Sequence, residues 1–162
     1  MAAIRRVRGT PVLGTRYQPI CGPGQNGPPA RVARVLSISG SSEDHSALRH
    51  ILRDPWWRIS VASDCREALD RLTQDRVAIV VCESNLPDGS WKDILAHFPD
   101  YPEEPILIVT SRRPDGYLWS EVLNLGGYDV LTKPFDDLEV HRVLVNAWAR
   151  KTTTVRAMAA GA

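Results

Sequence analysis

The apolar positions of this chain fall into five short runs, separated by longer stretches in which they recur at helical spacing. The runs are Val35–Ile38, Arg58–Ala62, Val77–Cys82, Ile106–Thr110 and Tyr128–Leu131. They are short and rich in β-branched residues, as strands are. Val77–Cys82 and Ile106–Thr110 are apolar almost throughout instead of alternating. That pattern predicts central strands of a parallel sheet covered on both faces.

Helices are expected in between. Leu48, Ile51 and Leu52 share one face of the first, and Ala68, Leu69 and Leu72 one face of the second. Ser90 can cap a short third helix carrying Ile94, Leu95 and Phe98. Leu118, Val122 and Leu125 make the fourth, stopped by Gly126-Gly127. The fifth places Leu138, His141, Val145 and Trp148 at helical spacing and is expected to end near Lys151. Asp64-x-x-Glu67 and Asp136-x-x-Glu139 have the shape of capping boxes with aspartate as the cap. Strand and helix thus alternate five times. This predicts an α/β, doubly wound parallel sheet of five strands with right-handed crossovers, spanning residues 33–151. Such sheets hold ligands outside the carboxyl ends of their strands.

The ends of the chain look different. Residues 1–32 are rich in Gly and Pro, with Cys21-Gly-Pro-Gly-Gln-Asn-Gly-Pro-Pro29 at their centre, and are expected to form a disordered tail. Residues 152–162 are small and are expected to be a second tail. Charge is divided in the same way. Arg5, Arg6, Arg8, Arg16, Arg31 and Arg34 precede the first acid, Glu43, so the first 42 residues carry +6 and the rest −5 of a net +1. The basic stretch is sparse and poor in aromatics. It reads as a solvated tail and not a nucleic-acid-binding arm.

The remaining composition excludes more than it suggests. At 162 residues with 43% hydrophobic and 24% charged content, the chain suits one soluble domain. No apolar run is long enough to span a membrane, and no secretion signal is evident, so a cytoplasmic location is expected. Cys21, Cys65 and Cys82 are widely spaced, with no ligand motif, which argues against disulfides and zinc; Cys82 reads as a core residue. His45, His50, His97 and His141 lack a serine or cysteine partner motif, and helix-face roles are expected, His141 on a buried face. Trp119 is expected at the surface and Trp148 against the core.

Candidate chemistry gathers at the strand ends. Ser39-Gly40-Ser41-Ser42 follows the first run, Glu83 the third, Thr110-Ser111 the fourth and Lys133-Pro134 the fifth. Together they make a pocket with one carboxylate, one ammonium, hydroxyls and a glycine loop, in which a cis peptide before Pro134 is plausible. Glu83 and Lys133 are expected to pair. Ser41 or Ser42 is expected to cap the first helix, and Asp88 to serve the Pro87-Asp88-Gly89 turn.

Residues 34–151 resemble the receiver domain of bacterial response regulators. The match lies in Val77–Gly89 with its Leu86-Pro87-Asp88-Gly89 turn, in Pro105–Ser111, and in Leu125–Phe135 with Thr-Lys133-Pro134. The resemblance implies a flavodoxin-like sheet in strand order 2-1-3-4-5. It also implies a phosphorylation pocket: an acidic pair that helps to hold magnesium, an acceptor aspartate, a Thr or Ser, and a Lys. Thr110 and Lys133 match as phosphate-pocket equivalents. Ser39 and Gly40 stand where the acidic pair belongs, Glu83 where the acceptor belongs, and Val130 where a Tyr or Phe is usual. Magnesium prefers carboxylate oxygens, so its site is expected to be lost, with no other cofactor or metal. Glu83 is one methylene too long for the usual attack geometry.

The expected function is therefore that of an atypical, non-enzymatic receiver without an output domain, signalling by protein–protein contact. Its partners would be a sensor kinase or a downstream effector, with a homodimer possible through the face of helix four, strand five and helix five. Glu83 would partly imitate a phosphorylated aspartate. Nucleic acid and membranes are not expected partners. Two alternatives stay open: a conventional phosphoacceptor with tolerant chemistry, and a small-molecule- or nucleotide-binding α/β protein using the Ser39–Ser42 loop.

Overall fold

A computed structural model describes residues 31–161. Five parallel strands form one sheet: β1 (Ala33–Ile38), β2 (Trp57–Ala62), β3 (Ile79–Glu83), β4 (Ile106–Ser111) and β5 (Asp129–Thr132). Their order is β2-β1-β3-β4-β5, the doubly wound order 2-1-3-4-5. The connecting helices are α1 (Ser42–Ile51), α2 (Cys65–Gln74), α3 (Trp91–Ala96), α4 (Gly116–Leu125) and α5 (Asp137–Ala160).

Side-chain alternation along β3 shows why its run is apolar throughout. Val80 and Cys82 point into a core with Ala68 and Leu72 of α2, Ile94 of α3 and Val122 of α4. Ile79 and Val81 point the other way, against Leu48 and Ile51 of α1 and Val140, Val143 and Leu144 of α5. Each of these four strand residues is at most 2% exposed. Burying a side chain of this size stabilises the fold by about 1.5–3 kcal/mol, so β3 alone ties both helical layers to the sheet.

Local signals set most helix ends. Asp64, Asp115 and Asp136 accept from the backbone N–H three residues on, at Glu67, Leu118 and Glu139, each at 2.8 Å. The box at α2 closes one residue early, since the Glu67 carboxylate accepts from Ser63 N at 2.9 Å and not from Asp64. At α5 the reciprocal half is absent. The complete box is at α3, between Ser90 and Asp93. Gly126 ends α4 at φ 105°, a left-handed conformation that a Cβ disfavours. A Cβ on Gly127 would lie 2.4 Å from Val122 Cγ1.

Three expectations need correction. Phe98 is not part of α3 but opens a separate 3₁₀ turn, Phe98–Asp100, where Pro99 cannot continue the ladder. The second strand starts one residue before the expected run Arg58–Ala62, at Trp57, which is 5% exposed. Finally, α5 passes Lys151 and runs to Ala160, so residues 152–160 are helical and not a tail. Ala, Arg and Met favour helix there. The hydroxyls of Thr152, Thr153 and Thr154 donate back to carbonyls one turn earlier. The expected N-terminal tail lies almost entirely outside the described residues. Among the described residues no helix is long and apolar enough to cross a membrane.

Candidate functional site

At the carboxyl ends of β1, β3 and β5 the structure brings Ser39, Glu83 and Lys133 together. Lys133 leaves β5 just before a cis peptide to Pro134. Its side chain is 1% exposed, so its ammonium needs partners inside the protein. It finds two: Nζ lies 2.6 Å from Glu83 Oε1 and 2.6 Å from Asp44 Oδ2. The expected Glu83–Lys133 pair forms, and a second acid joins it.

Asp44 is the site residue that sequence reasoning missed. It sits in the first turn of α1 and is 8% exposed. Helical Cα–Cβ bonds tilt toward the helix N-terminus, so a first-turn side chain reaches back over the β1–α1 connection. That direction carries the Asp44 carboxylate to Lys133. The pocket therefore holds more acid than Glu83 alone, which corrects the expectation of a single carboxylate.

Ser39 closes the arrangement. Its hydroxyl lies 2.6 Å from Asp44 Oδ2 and 2.9 Å from Glu83 Oε2, and it accepts from Ser41 N at 3.1 Å. A hydroxyl has one proton, so it satisfies one carboxylate at a time. The result is a ring of Ser39, Asp44, Lys133 and Glu83 in which both Glu83 oxygens are engaged. The formal charges are two negative and one positive, spread over groups that are mostly or fully buried.

The other expected residues take different places. Gly40 adjoins the ring without contributing to it. A Cβ there would meet only Pro87 Cγ, at 3.9 Å, so backbone crowding does not account for the missing acid. Thr110 lies beside Glu83 in the β3–β4 register and is 2% exposed. Its carbonyl accepts from Ser84 N at 2.9 Å, while its hydroxyl takes no part in the ring. Ser41 stands at the N-cap of α1, but its hydroxyl makes no cap bond. Asp88 reaches beyond its turn: its carboxylate accepts from Cys65 N at 2.8 Å and Arg66 N at 3.1 Å, capping α2 from across the sheet edge. Those backbone donors hold the Asp88 carboxyl below the usual aspartate range.

His45, His50 and His141 are helix residues, as expected, whereas His97 is the C-cap of α3, its Nδ1 2.9 Å from the Asp93 carbonyl oxygen; two others have side-chain partners. His45 Nδ1 lies 2.8 Å from the buried Ser37 hydroxyl, and burial lowers its pKa. His141 is buried on α5, with Nε2 3.9 Å from Asp54 Oδ2. Cys82 is a core residue as expected, and burial with nearby Asp88 pushes the Cys65 thiol up to about 11.

The sheet order, the pocket at its carboxyl edge and the cis Lys133–Pro134 bond agree with a match of residues 35–145 to the response regulator receiver domain model. The chain belongs to the response regulator receiver family. Two curated relatives are transcriptional regulators. The virulence transcriptional regulatory protein PhoP of Salmonella typhimurium is 31% identical over 115 residues, covering 66% of this chain and 48% of that protein. The transcriptional regulatory protein CpxR of Escherichia coli is 28% identical over 109 residues, covering 66% and 45%. This receiver therefore spans about half the length of the curated relatives it matches.

Solved structures agree on the fold. The signal receiver domain of an HD domain-containing protein from Pseudomonas fluorescens superposes with a TM-score of 0.69 at 24% identity, covering 76% of this chain and 99% of that one. The chemotaxis response regulator CheY4 of Vibrio cholerae gives 0.64 at 20% identity, covering 72% and 98%.

Proposed function

We propose that this receiver signals through protein contacts with its pocket held in one charge state, without an aspartyl phosphorylation cycle. The observation that carries this reading is the closed ring. One Glu83 oxygen binds the Lys133 ammonium and the other faces the Ser39 hydroxyl, so the carboxylate is held by its neighbours in the pocket. The lysine that would bind phosphoryl oxygens already serves two carboxylates. In this proposal Glu83 supplies the negative charge that a phosphorylated aspartate would bring, and Lys133 is permanently engaged.

The residues present do not suit magnesium. Ser39 and Gly40 offer no carboxylate, and the two acids that converge here do so on an ammonium, which holds the place between them that a divalent ion would need. The proposed protein is accordingly non-enzymatic, with no cofactor. Its partners would be a sensor kinase or a downstream effector. Leu123 of α4 and Leu138 of α5, 52% and 68% exposed, with Trp119 at 37%, support the face of α4, β5 and α5 as the contact surface, for a second copy or for another protein.

Beryllofluoride with magnesium, followed by amide chemical shifts, tests the proposal. The expected result is no saturable change at Glu83, Thr110 or Lys133, and no phosphoprotein after acetyl phosphate. Magnesium-dependent binding of beryllofluoride at Glu83 would overturn it.

A further inference from the structure

Beside the ring, between the start of α3 and the start of α4, lies an open groove of about 330 Å³. It is lined by residues that follow the pocket, Ser84 after Glu83 and Ser111 after Thr110, and by Arg113 and Tyr117. Each acid that lines it has one oxygen engaged. Asp115 accepts from Leu118 N as the cap of α4, and Glu121 is paired with Lys92 across the groove.

Among the groups left over, the donors are the two seryl hydroxyls and a guanidinium. Ser84 Oγ accepts from Asn85 Nδ2, and Ser111 Oγ accepts from Arg113 N, so both hydroxyl protons are free to donate. The Arg113 guanidinium makes no ion pair among the described residues. Tyr117 adds an aromatic ring that is 75% exposed, with nothing covering most of it. We propose that this groove binds a small planar aromatic carboxylate: the carboxylate pairs with Arg113 and the seryl hydroxyls, and the ring lies on Tyr117. A guanidinium fork matches a carboxylate bidentately, and aromatic rings stack in offset geometry. The volume is at the low end for ligand pockets, which suits one or two fused rings and not a peptide segment. An occupant would touch the residues directly after Glu83 and Thr110. The proposal does not depend on the charge state of Glu83.

Titration of the ¹⁵N-labelled protein with naphthalene-2-carboxylate tests it. Saturable shifts are expected at the amides of Ser84, Ser111 and Tyr117. Arg113→Gln should weaken binding about tenfold or more, as should replacing the probe by neutral 2-naphthylmethanol. Arg112→Gln, outside the groove, should leave affinity unchanged, and circular dichroism confirms that each variant is folded. Absence of saturable shifts up to the solubility limit of the probe overturns the proposal. So does an affinity that Arg113→Gln leaves intact, or equal binding of the neutral alcohol.

Discussion

Lys133→Met keeps most of the side-chain volume and removes the one positive charge of the ring. Two 2.6 Å contacts to a single Nζ keep Asp44 Oδ2 and Glu83 Oε1 within about 5.2 Å of each other, the sum of the two distances. Without the ammonium, two carboxylates face each other at that range with one seryl proton between them. Unit charges ~5 Å apart repel by roughly 3 kcal/mol at an effective dielectric constant of ~20. Breaking a buried ion pair from one side costs about 3–5 kcal/mol by experience with other proteins. The two figures agree, and the expected loss is about 3–5 kcal/mol in urea denaturation followed by tryptophan fluorescence at pH 7. The same substitution in an Asp44→Asn/Glu83→Gln background removes a lysine that has lost both counter-charges, so it should cost little or even stabilise. A loss below about 1 kcal/mol in the wild-type background, or an equal loss in both, would refute the view that the ring is held by charge.

Two further outcomes follow from the site and its surroundings. Burial lowers the pKa of His45 below its ordinary value of 6.5, so the unfolded chain takes up a proton at a higher pH than the folded one. Stability should therefore fall as pH drops through 6.5 and level off below the lowered folded value; in His45→Gln, equilibrium denaturation between pH 7.5 and 5 should lose most of that slope. Asp88→Ala removes the carboxylate that two α2 amides donate to, and should cost about 0.5–2 kcal/mol in denaturation while leaving the native circular dichroism unchanged.

Much of this fold was legible because its signals are local. An apolar run as short and β-branched as Val77–Cys82 reads as a strand buried on both faces, and helix-spaced leucines between such runs leave one sheet topology in easy reach. That Ser39, Glu83, Thr110 and Lys133 lie at neighbouring strand ends was legible because strand ends in such a sheet converge. The end of α5 was not, since Thr152, Thr153 and Thr154 carry no apolar period; their back-bonding to the helix appears only once the helix exists. Asp88 looked like a turn residue because nothing in Pro-Asp-Gly reports that α2 starts within reach of it.

Asp44 is the instructive omission. An acid in the first turn of a helix is ordinary, favoured there by the helix dipole whether or not it touches anything else. Its turn toward Lys133 depends on how α1 lies against a strand end 89 residues away in sequence. Yet this placement gives Asp44 a role that Glu83 cannot have. Glu83 ends a central strand hydrogen-bonded on both sides, so releasing it from Lys133 leaves its backbone where it was. Asp44 rides on α1, whose N-cap Ser41 makes no side-chain cap bond, so its tie to Lys133 and Ser39 helps to pin that first turn, beside the His45–Ser37 bond. Asp44→Asn and Glu83→Gln remove the same charge and should therefore differ in effect. Amide hydrogen exchange around Ser46 and Ala47, the first amides bonded within α1, should quicken in the former and hardly change in the latter, by a factor of about 5–10 for a lost contact of ~1–1.4 kcal/mol. Equal exchange in the two variants would mean that α1 responds only to the net charge of the pocket, and that the position of the acid carries no information of its own.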